Sequence, residues 1–370
     1  MRNFCKKYQI EADCLAVGVS GGADSLALVL RLQEELGAEG RKIVALTVDH
    51  RLREESSQEA AYVAELMQKF GIEHHILVWE GAKPESSIEE AAREARYALL
   101  KEWCETNGIG VLAVAHHERD QAETFLMRLQ RGSGVDGLCA MAPVSRLDNL
   151  LLIRPFLNKA PEELKNYLNK KGVAWVEDPS NQSDDFLRVK VRKFIPELEE
   201  RLGLSMHRVA ETAAVLQRTR NYLEEQCAVF IKKHVRNWAE IACSFSLNAL
   251  SELHEEMVFR VLTRLLREVG RRRYMPRAED VERLCKNLLG DKFDSLYFEE
   301  KTVSPFKGCT LGGCEIFLSQ GKVWIVPELK NKEVLSRKDW EAYAEIFPQY
   351  KKMKLPYKLR LSLVKLTPIL

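Results

Sequence analysis

The sequence predicts an α/β protein: a doubly wound, mostly parallel sheet, followed by a helical stretch and a small C-terminal part containing strands. Three observations carry that expectation. Through the first half, short and nearly continuous apolar runs alternate with helix-patterned segments, as when both faces of a parallel sheet are covered. The first run turns into the first helix through a glycine pair, "VSGGADS". Near residues 197 and 291 the texture changes, first to helix after helix and then to short strands.

Taken in order, "CLAVGV" precedes "DSLALVLRLQEEL", and "KIVALTVDH" precedes "SSQEAAYVAELMQKFG". "EHHILVW" leads to "SSIEEAAREARYALLKEWCETNG", and "IGVLAVAH" to "ERDQAETFLMRLQRG". A fifth unit is expected from "LLIRPFL", "PEELKNYLNKKG" and "VAWVEDPSN", with "DPSN" closing it as a turn. Residues 196–290 read as helices with little strand character, and "GCTLGGCEIFLSQGKVWIV" reads as a hairpin. The expected domains are therefore 1–200, 201–290 and 291–370, the first α/β, the second helical and the third a small α+β unit.

Composition narrows the function only broadly. Of 370 residues, 46% are hydrophobic and 30% charged, and the net charge of +2 announces no strongly basic nucleic-acid binder. The nine cysteines are scattered and include no Cys-x-x-Cys pair, which argues against a zinc ribbon or redox dithiol and for thiols in a reducing compartment. No apolar run approaches membrane-spanning length. A cytoplasmic location with no membrane contact is the expectation.

"VSGGADS" combines a strand, the Gly21–Gly22 turn and a helix opening near Asp24 and Ser25. Glycines let backbone N–H groups close on an anion at the positive end of a helix. The alternative is a tight turn whose helix is capped by Asp24 or Ser25. No Gly-Lys-Ser/Thr follows, and the Rossmann Gly-x-Gly-x-x-Gly spacing is absent.

"SGGADS" resembles the loop of the PP-loop ATP pyrophosphatases, which cleave ATP between the α and β phosphates. That resemblance implies ATP contacts from Ser20, Gly21, Gly22, Ala23, Asp24 and Ser25, with Asp24 also holding Mg2+. It implies an adenine edge near Val48 and His50 in "TVDHRLR". Within that group, "AHHERDQAETFLMRLQRGSGVDGLCAM", "EEAAREARY" and "RPFLNKAPEELKNYLNKKGVAWVEDPSNQSDDFLRVKVRKFIPEL" resemble the tRNA(Ile)-lysidine synthetases. The implied reaction adenylates C2–O of the wobble cytidine in the CAU anticodon of tRNA(Ile). Free lysine then displaces AMP. Asp24, Asp120, Arg188 and Arg96 are the implied catalytic set, and the partners are that tRNA and lysine, with a homodimer left open.

The residues carry their own chemistry beside the resemblance. Asp120 and Glu123 fall at i, i+3 on one helical face, suited to an ammonium ion or to a neighbouring arginine. Lysine's amine must lose a proton before attack, and Asp120 is the candidate acceptor. Arg93 and Arg96 share a face, either as a solvent-facing pairing with Glu89 or turned to the reaction centre. His116 and His117 lack the spacing of a zinc site and are expected to line the cleft. "RGSGVDG" is read as flexible chain near the substrate. Contacts to tRNA are assigned to Arg192 and to Arg271, Arg272 and Arg273, with Tyr274 as a stacking residue.

Two departures from the family pattern stand out. Arg119 occupies the place of the family's usual first aspartate, and Val189 and Lys190 in "FLRVKVR" replace part of the commoner Arg-Asn-Arg-Ile-Arg pattern, with Arg188 and Arg192 kept. They keep a second interpretation open: a non-catalytic or different-substrate PP-loop protein that binds tRNA or nucleotide.

Overall fold

A computed structural model describes residues 1–52, 55–81, 83, 88–177, 187–238, 241–271, 276–295, 306, 308–328, 356 and 359–360. The chain divides into two compact units, Met1–Arg220 and Asn221–Leu370.

The first unit opens with α1 (Arg2–Lys7), β1 (Cys14–Gly18), α2 (Ala23–Glu35), β2 (Lys42–Asp49), α3 (Glu55–Lys69) and β3 (Glu73–Val78). It continues through α4 (Ile88–Thr106), β4 (Val111–Ala113), α5 (Glu118–Gln130), α6 (Val135–Leu138), β5 (Val144–Leu147) and β6 (Leu150–Ile153). Then come α7 (Pro161–Lys171), α8 (Leu187–Leu202) and the first half of α9 (Met206–His234), whose second half belongs to the second unit. The strands form one sheet in the order β3-β2-β1-β4-β6-β5, parallel except for the edge hairpin β5–β6.

Strand alternation builds two cores, one on each face of the sheet. Leu15 and Val17 of β1, with Ile43 and Ala45 of β2, pack with Leu28 of α2, Val63 of α3 and Leu168 of α7. Ala16, Val44 and Leu46 face the other way, with Leu100 and Cys104 of α4. This two-sided burial is why the strands read as continuous apolar runs. Strand order reverses between β1 and β4, which pair in parallel, Ala16 with Leu112. The loops leaving these two strands therefore open into the crevice where such sheets bind ligands.

The fifth unit differs from its expectation. "LLIRPFL" supplies β6, but residues 173–177 join no strand. Instead the Val176 N–H donates to the Gly21 carbonyl at 3.0 Å. An apolar run with a backbone partner in a loop gains little from sheet pairing, and the "DPSN" turn lies outside the described residues.

The second unit holds an antiparallel sheet, β7 (Arg236–Trp238), β8 (Ala242–Ser246), β11 (Lys322–Pro327), β10 (Cys314–Ser319) and β9 (Cys309–Leu311) in that spatial order. Its helices are α10 (Leu247–Ser251), α11 (Glu255–Gly270) and α12 (Ala278–Leu289). The expected hairpin is β10–β11, closing at Ser319↔Lys322. The 201–290 stretch also contributes β7 and β8, because Phe245 and Cys243 pair with Val323 and Ile325 far along the chain. All nine cysteines are free thiols. No helix among the described residues is long and apolar enough to cross a membrane.

The helix that follows the glycine loop is deeply enclosed, with Leu26 to Leu30 all buried. Leu28→Ala is expected to cost about 2–5 kcal/mol in urea unfolding. Leu129→Ala, at a side chain 51% exposed, is expected to stay within about 0.5 kcal/mol of the parent.

Candidate active site

The glycine loop is shaped before any ligand arrives. Val19 N–H closes β1 on Leu46 O at 2.8 Å, and Gly21 then takes φ +85°. A Cβ there would lie 3.1 Å from Val63 Cγ2, so both conformation and space favour glycine. Ser25 Oγ donates to Gly22 O (3.0 Å), accepts from Ser20 N–H (3.1 Å) and lies 3.3 Å from Ser20 Oγ. Neither Asp24 nor Ser25 caps α2: Gly22 is its N-cap and no side chain bonds there. The first-turn N–H groups of Ala23, Asp24 and Ser25 thus remain available to an anion, and their dipoles favour one. Between the two readings of this turn, the geometry fits the phosphate cradle.

Asp24 presents its carboxylate beside this cradle. Its Oδ1 is buried without a hydrogen-bond partner, while Oδ2 lies 3.5 Å from His117 Nε2. A hard carboxylate oxygen left without a hydrogen-bond partner suits a magnesium ion arriving with phosphate oxygens and water. His117 sits at the N-cap of α5, directly after β4. Its N–H donates to Asp120 Oδ2 at 3.0 Å, and its Nδ1 lies 3.6 Å from the same oxygen. Burial opposes charge on this imidazole, but the contact with Asp24 and the charges of Asp120, Asp24 and Glu123 outweigh it and raise its pKa. Asp120 is pulled the other way. Burial favours its neutral form, yet His117, His116, Arg188 and the His117 N–H together lower its pKa.

Glu123 is fully enclosed, with both oxygens bound to arginines of α8. Arg188 Nε donates to Oε2 and Arg192 Nε to Oε1, each at 2.8 Å, and Arg192 Nη2 reaches Oε2 at 3.3 Å. Of the two partners open to this face, Glu123 takes arginine, while Asp120 stays half-buried with Arg188 Nη2 3.6 Å from Oδ1. Arg192, expected on RNA, commits these two nitrogens to Glu123. Apolar contacts reinforce the seam: Ile195 and Val191 of α8 pack with Ala122 and Phe125 of α5.

On the α4 side, Arg93 and Arg96 lie over the Tyr97 ring at 5.2 and 5.5 Å, and neither forms an ion pair among the described residues. The side chain of Glu89 lies outside those residues. Burial, and after it the like charges of Arg93 and Arg188, lower the Arg96 pKa, the Tyr97 hydroxyl opposing them. Enclosure also pushes His116 down to about 3, so it is neutral. Arg119 is half-buried on α5 with no hydrogen bond or ion pair among the described residues. At the end of β2, Val48 is half-buried and His50 meets Trp79 edge-on at 6.0 Å.

The remaining expectations concern other segments. "RGSGVDG", expected as flexible chain, is organised: Arg128 Nη1 donates to Gly137 O and Ala140 O at 2.8 Å, and Arg220 pairs with Asp136 at 3.2 Å. Arg271 ends α11 in the left-handed region at φ +47°. Arg272, Arg273 and Tyr274 lie outside the described residues. Two polar anchors escaped the sequence reading. Asp49 accepts from Arg51 N–H (3.0 Å) and from the hydroxyls of Ser56 and Ser57, fixing the loop after β2 to the start of α3. Arg154, just past the end of β6, donates from Nη1 to Ala142 O and Ser145 Oγ. Both sit at strand ends, the one signal that could have found them.

The PP-loop domain family matches residues 1–198. The tRNA(Ile)-lysidine synthase of Ruegeria pomeroyi is 42% identical over 210 residues, 57% of this chain and 50% of that protein. The one from Bradyrhizobium sp. is 45% identical over 190 residues, 51% of this chain and 53% of the relative. The chain thus spans about half the length of these two. In Methylobacterium sp. (strain 4-46) the similar protein is 37% identical over 322 residues, 86% of this chain and 90% of its own length. Among solved structures, the U34-tRNA thiolase NcsA from Methanococcus maripaludis matches with a TM-score of 0.50 and 17% identity, over 58% of this chain and 77% of that one. This likeness concerns the fold alone.

Two expected outcomes follow from the site. Glu123→Ala strips the counter-charge from two arginines and is expected to cost about 3 kcal/mol in urea unfolding, since both guanidinium groups can partly rehydrate. The raised pKa of His117 means that its charged contacts stabilise the fold fully below the ordinary value of 6.5 and are lost as pH rises through the folded-state value. The thermal-midpoint gap between the parent and His117→Asn is therefore expected to be widest in mildly acidic buffer and to shrink in alkaline buffer.

Proposed function

The chain belongs to the tRNA(Ile)-lysidine synthase family and carries its PP-loop domain, and from that premise we propose that it is an ATP-dependent ligase. It joins lysine to C2 of the wobble cytidine in CAU-anticodon tRNA(Ile), releasing pyrophosphate and AMP. The observation that carries this reading is the placement of His117 between Asp24 of the glycine loop and Asp120 of α5, at 3.5 and 3.6 Å. It supports a nucleotide site and a candidate ammonium site that share one crevice.

In this scheme Ser20, Ser25 and the open N–H groups of Gly22–Ser25 hold the β and γ phosphates. Val48 and His50 border the adenine. Asp24 would hold Mg2+, which supplies positive charge to the departing pyrophosphate when bound. The cytidine O2 attacks the α-phosphorus and pyrophosphate leaves. The ε-amine of lysine, its proton released to solvent, then attacks C2, and the C2–O bond breaks so that AMP leaves with that oxygen. Asp120, whose carboxyl is held anionic, is better suited to anchor the lysine ammonium than to take up its proton. Glu123 acts through Arg188 and Arg192 by fixing where their guanidinium groups point. Arg96 and Arg188 face the charge that develops on the activated base and its phosphate. Residues 201–290 and 291–370 are proposed to meet the tRNA body, with Arg271, Arg272 and Arg273 on phosphates. A monomer and a homodimer both accommodate this scheme.

AMP release from labelled ATP, with magnesium, lysine and unmodified CAU-anticodon tRNA(Ile) each omitted in turn, tests the reading. The expected outcome is AMP formation that requires all three. AMP without a lysine requirement would point to another PP-loop substrate. No AMP in any combination would favour a binding protein, with Arg119→Asp the first variant to assay. Asp120→Asn is expected to raise the lysine KM at least tenfold while leaving ATP affinity within about twofold, a gap of roughly 1.4 kcal/mol per decade.

A further inference from the structure

Arg154 stands where β6 ends, beside the loop that carries His116 and His117. Val114 N–H donates to Ile153 O at 3.0 Å, which fixes the backbone there. The Arg154 N–H donates to Pro143 O (2.8 Å), and its Nη1 donates to Ala142 O (2.8 Å) and Ser145 Oγ (2.9 Å). Every one of these acceptors is neutral. Its Nε is buried with no hydrogen-bond partner, and no carboxylate pairs with it among the described residues.

The surroundings add positive charge. Burial and then the neighbouring Arg93 lower the Arg154 pKa, with the Tyr97 hydroxyl opposing them. Arg93, Arg154 and Arg188 all act on the neutral His116. A half-buried guanidinium answered by neutral acceptors, as that of Arg154 is, is costly to keep, and the exposed Arg93 adds like charge to it. An anion entering between them removes that cost. The planar fork, already held on one nitrogen by the 142–145 segment, matches a phosphate better than a single-point anion.

We propose that Arg154 is a phosphate-binding residue of the cleft, acting with Arg93 on a phosphate of the substrate nucleotides. This rests on the reading that the cleft takes ATP and RNA. The phosphate comes from ATP or from the RNA backbone at the wobble position, and binding measurements separate the two.

The experiment uses the full chain as the parent and as Arg154→Gln, Arg154→Lys and Arg93→Gln. Equilibrium binding of magnesium–ATP, of a CAU anticodon stem–loop RNA across a salt series, and of lysine is measured for each. If the phosphate is the RNA's, Arg154→Gln weakens RNA binding about tenfold. The slope of log K against log salt then falls by about 0.7, Arg154→Lys keeps most of that slope, and ATP affinity is unchanged. If it is ATP's, ATP binding weakens about tenfold and the RNA slope keeps the parent value. Parent-like ATP and RNA binding in both Gln variants would overturn the proposal. A change confined to lysine would overturn it too, by making the anion a carboxylate. Should Arg154→Gln fail to fold, Arg93→Gln decides, because Arg93 is exposed and, among the described residues, its guanidinium makes a ring contact with Tyr97 and no ion pair. Failure of the ligase reading looks different: a parent protein that binds ATP and RNA but releases no lysine-dependent AMP. A parent that binds neither would overturn both.

Discussion

A carboxylate at the bottom of the α5–α8 seam sets the conditions for the rest of the first unit. Glu123 has no exposed surface, and at that depth an ionised group must be paired and hydrogen-bonded. Its partners come from Arg188 and Arg192, 65 and 69 positions along the chain. The same helix buries Ile195 and Val191 against Ala122 and Phe125. Polar and apolar contacts therefore select one docking of α8. Once Nε of Arg188 is committed to Glu123, its Nη2 faces Asp120. A structural ion pair thus orients a group at the edge of the candidate site.

Charge in the crevice is segregated. From the glycine loop towards α5 the order is acid, imidazole, acid: Asp24, His117, Asp120. Each carboxylate leaves part of its acceptor capacity for something else. On the α4 and β6 side the order is cation after cation, Arg96, Arg93 and Arg154, with His116 held neutral among them. A pocket divided in this way complements a ligand set that brings both signs. A metal ion and an ammonium would meet the acidic side, and phosphates the basic side. This complementarity makes the separate residue roles consistent with one reaction.

The sheet itself is less particular. A doubly wound α/β core accommodates many chemistries, and the likeness to a tRNA thiolase at 17% identity illustrates how far side chains can diverge on a shared frame. What singles out this chain lies on α5 and α8 and in the strand-end loops, where Asp120, Glu123, Arg188 and Arg154 sit.

By itself the sequence determined the order of strands and helices in the first half, because two-sided burial writes itself as continuous apolar runs. It also determined the glycine loop, since the positive φ at Gly21 and the nearby Val63 methyl both favour a residue without a Cβ. The motifs on α5 and α8 were legible as residue types at helical spacing. Their partners were not. Spacing puts Asp120 and Glu123 on one face but cannot say which meets an arginine and which stays open, for that depends on how deep each is buried. β8 was invisible because its pairing with β11 draws on residues about eighty positions away, and β7 is a strand only through its pairing with β8. Arg154 looked like one more basic residue at a strand end. Only tertiary structure decided that its neighbours are neutral or cationic, because the energy of a charge is set by what surrounds it in space.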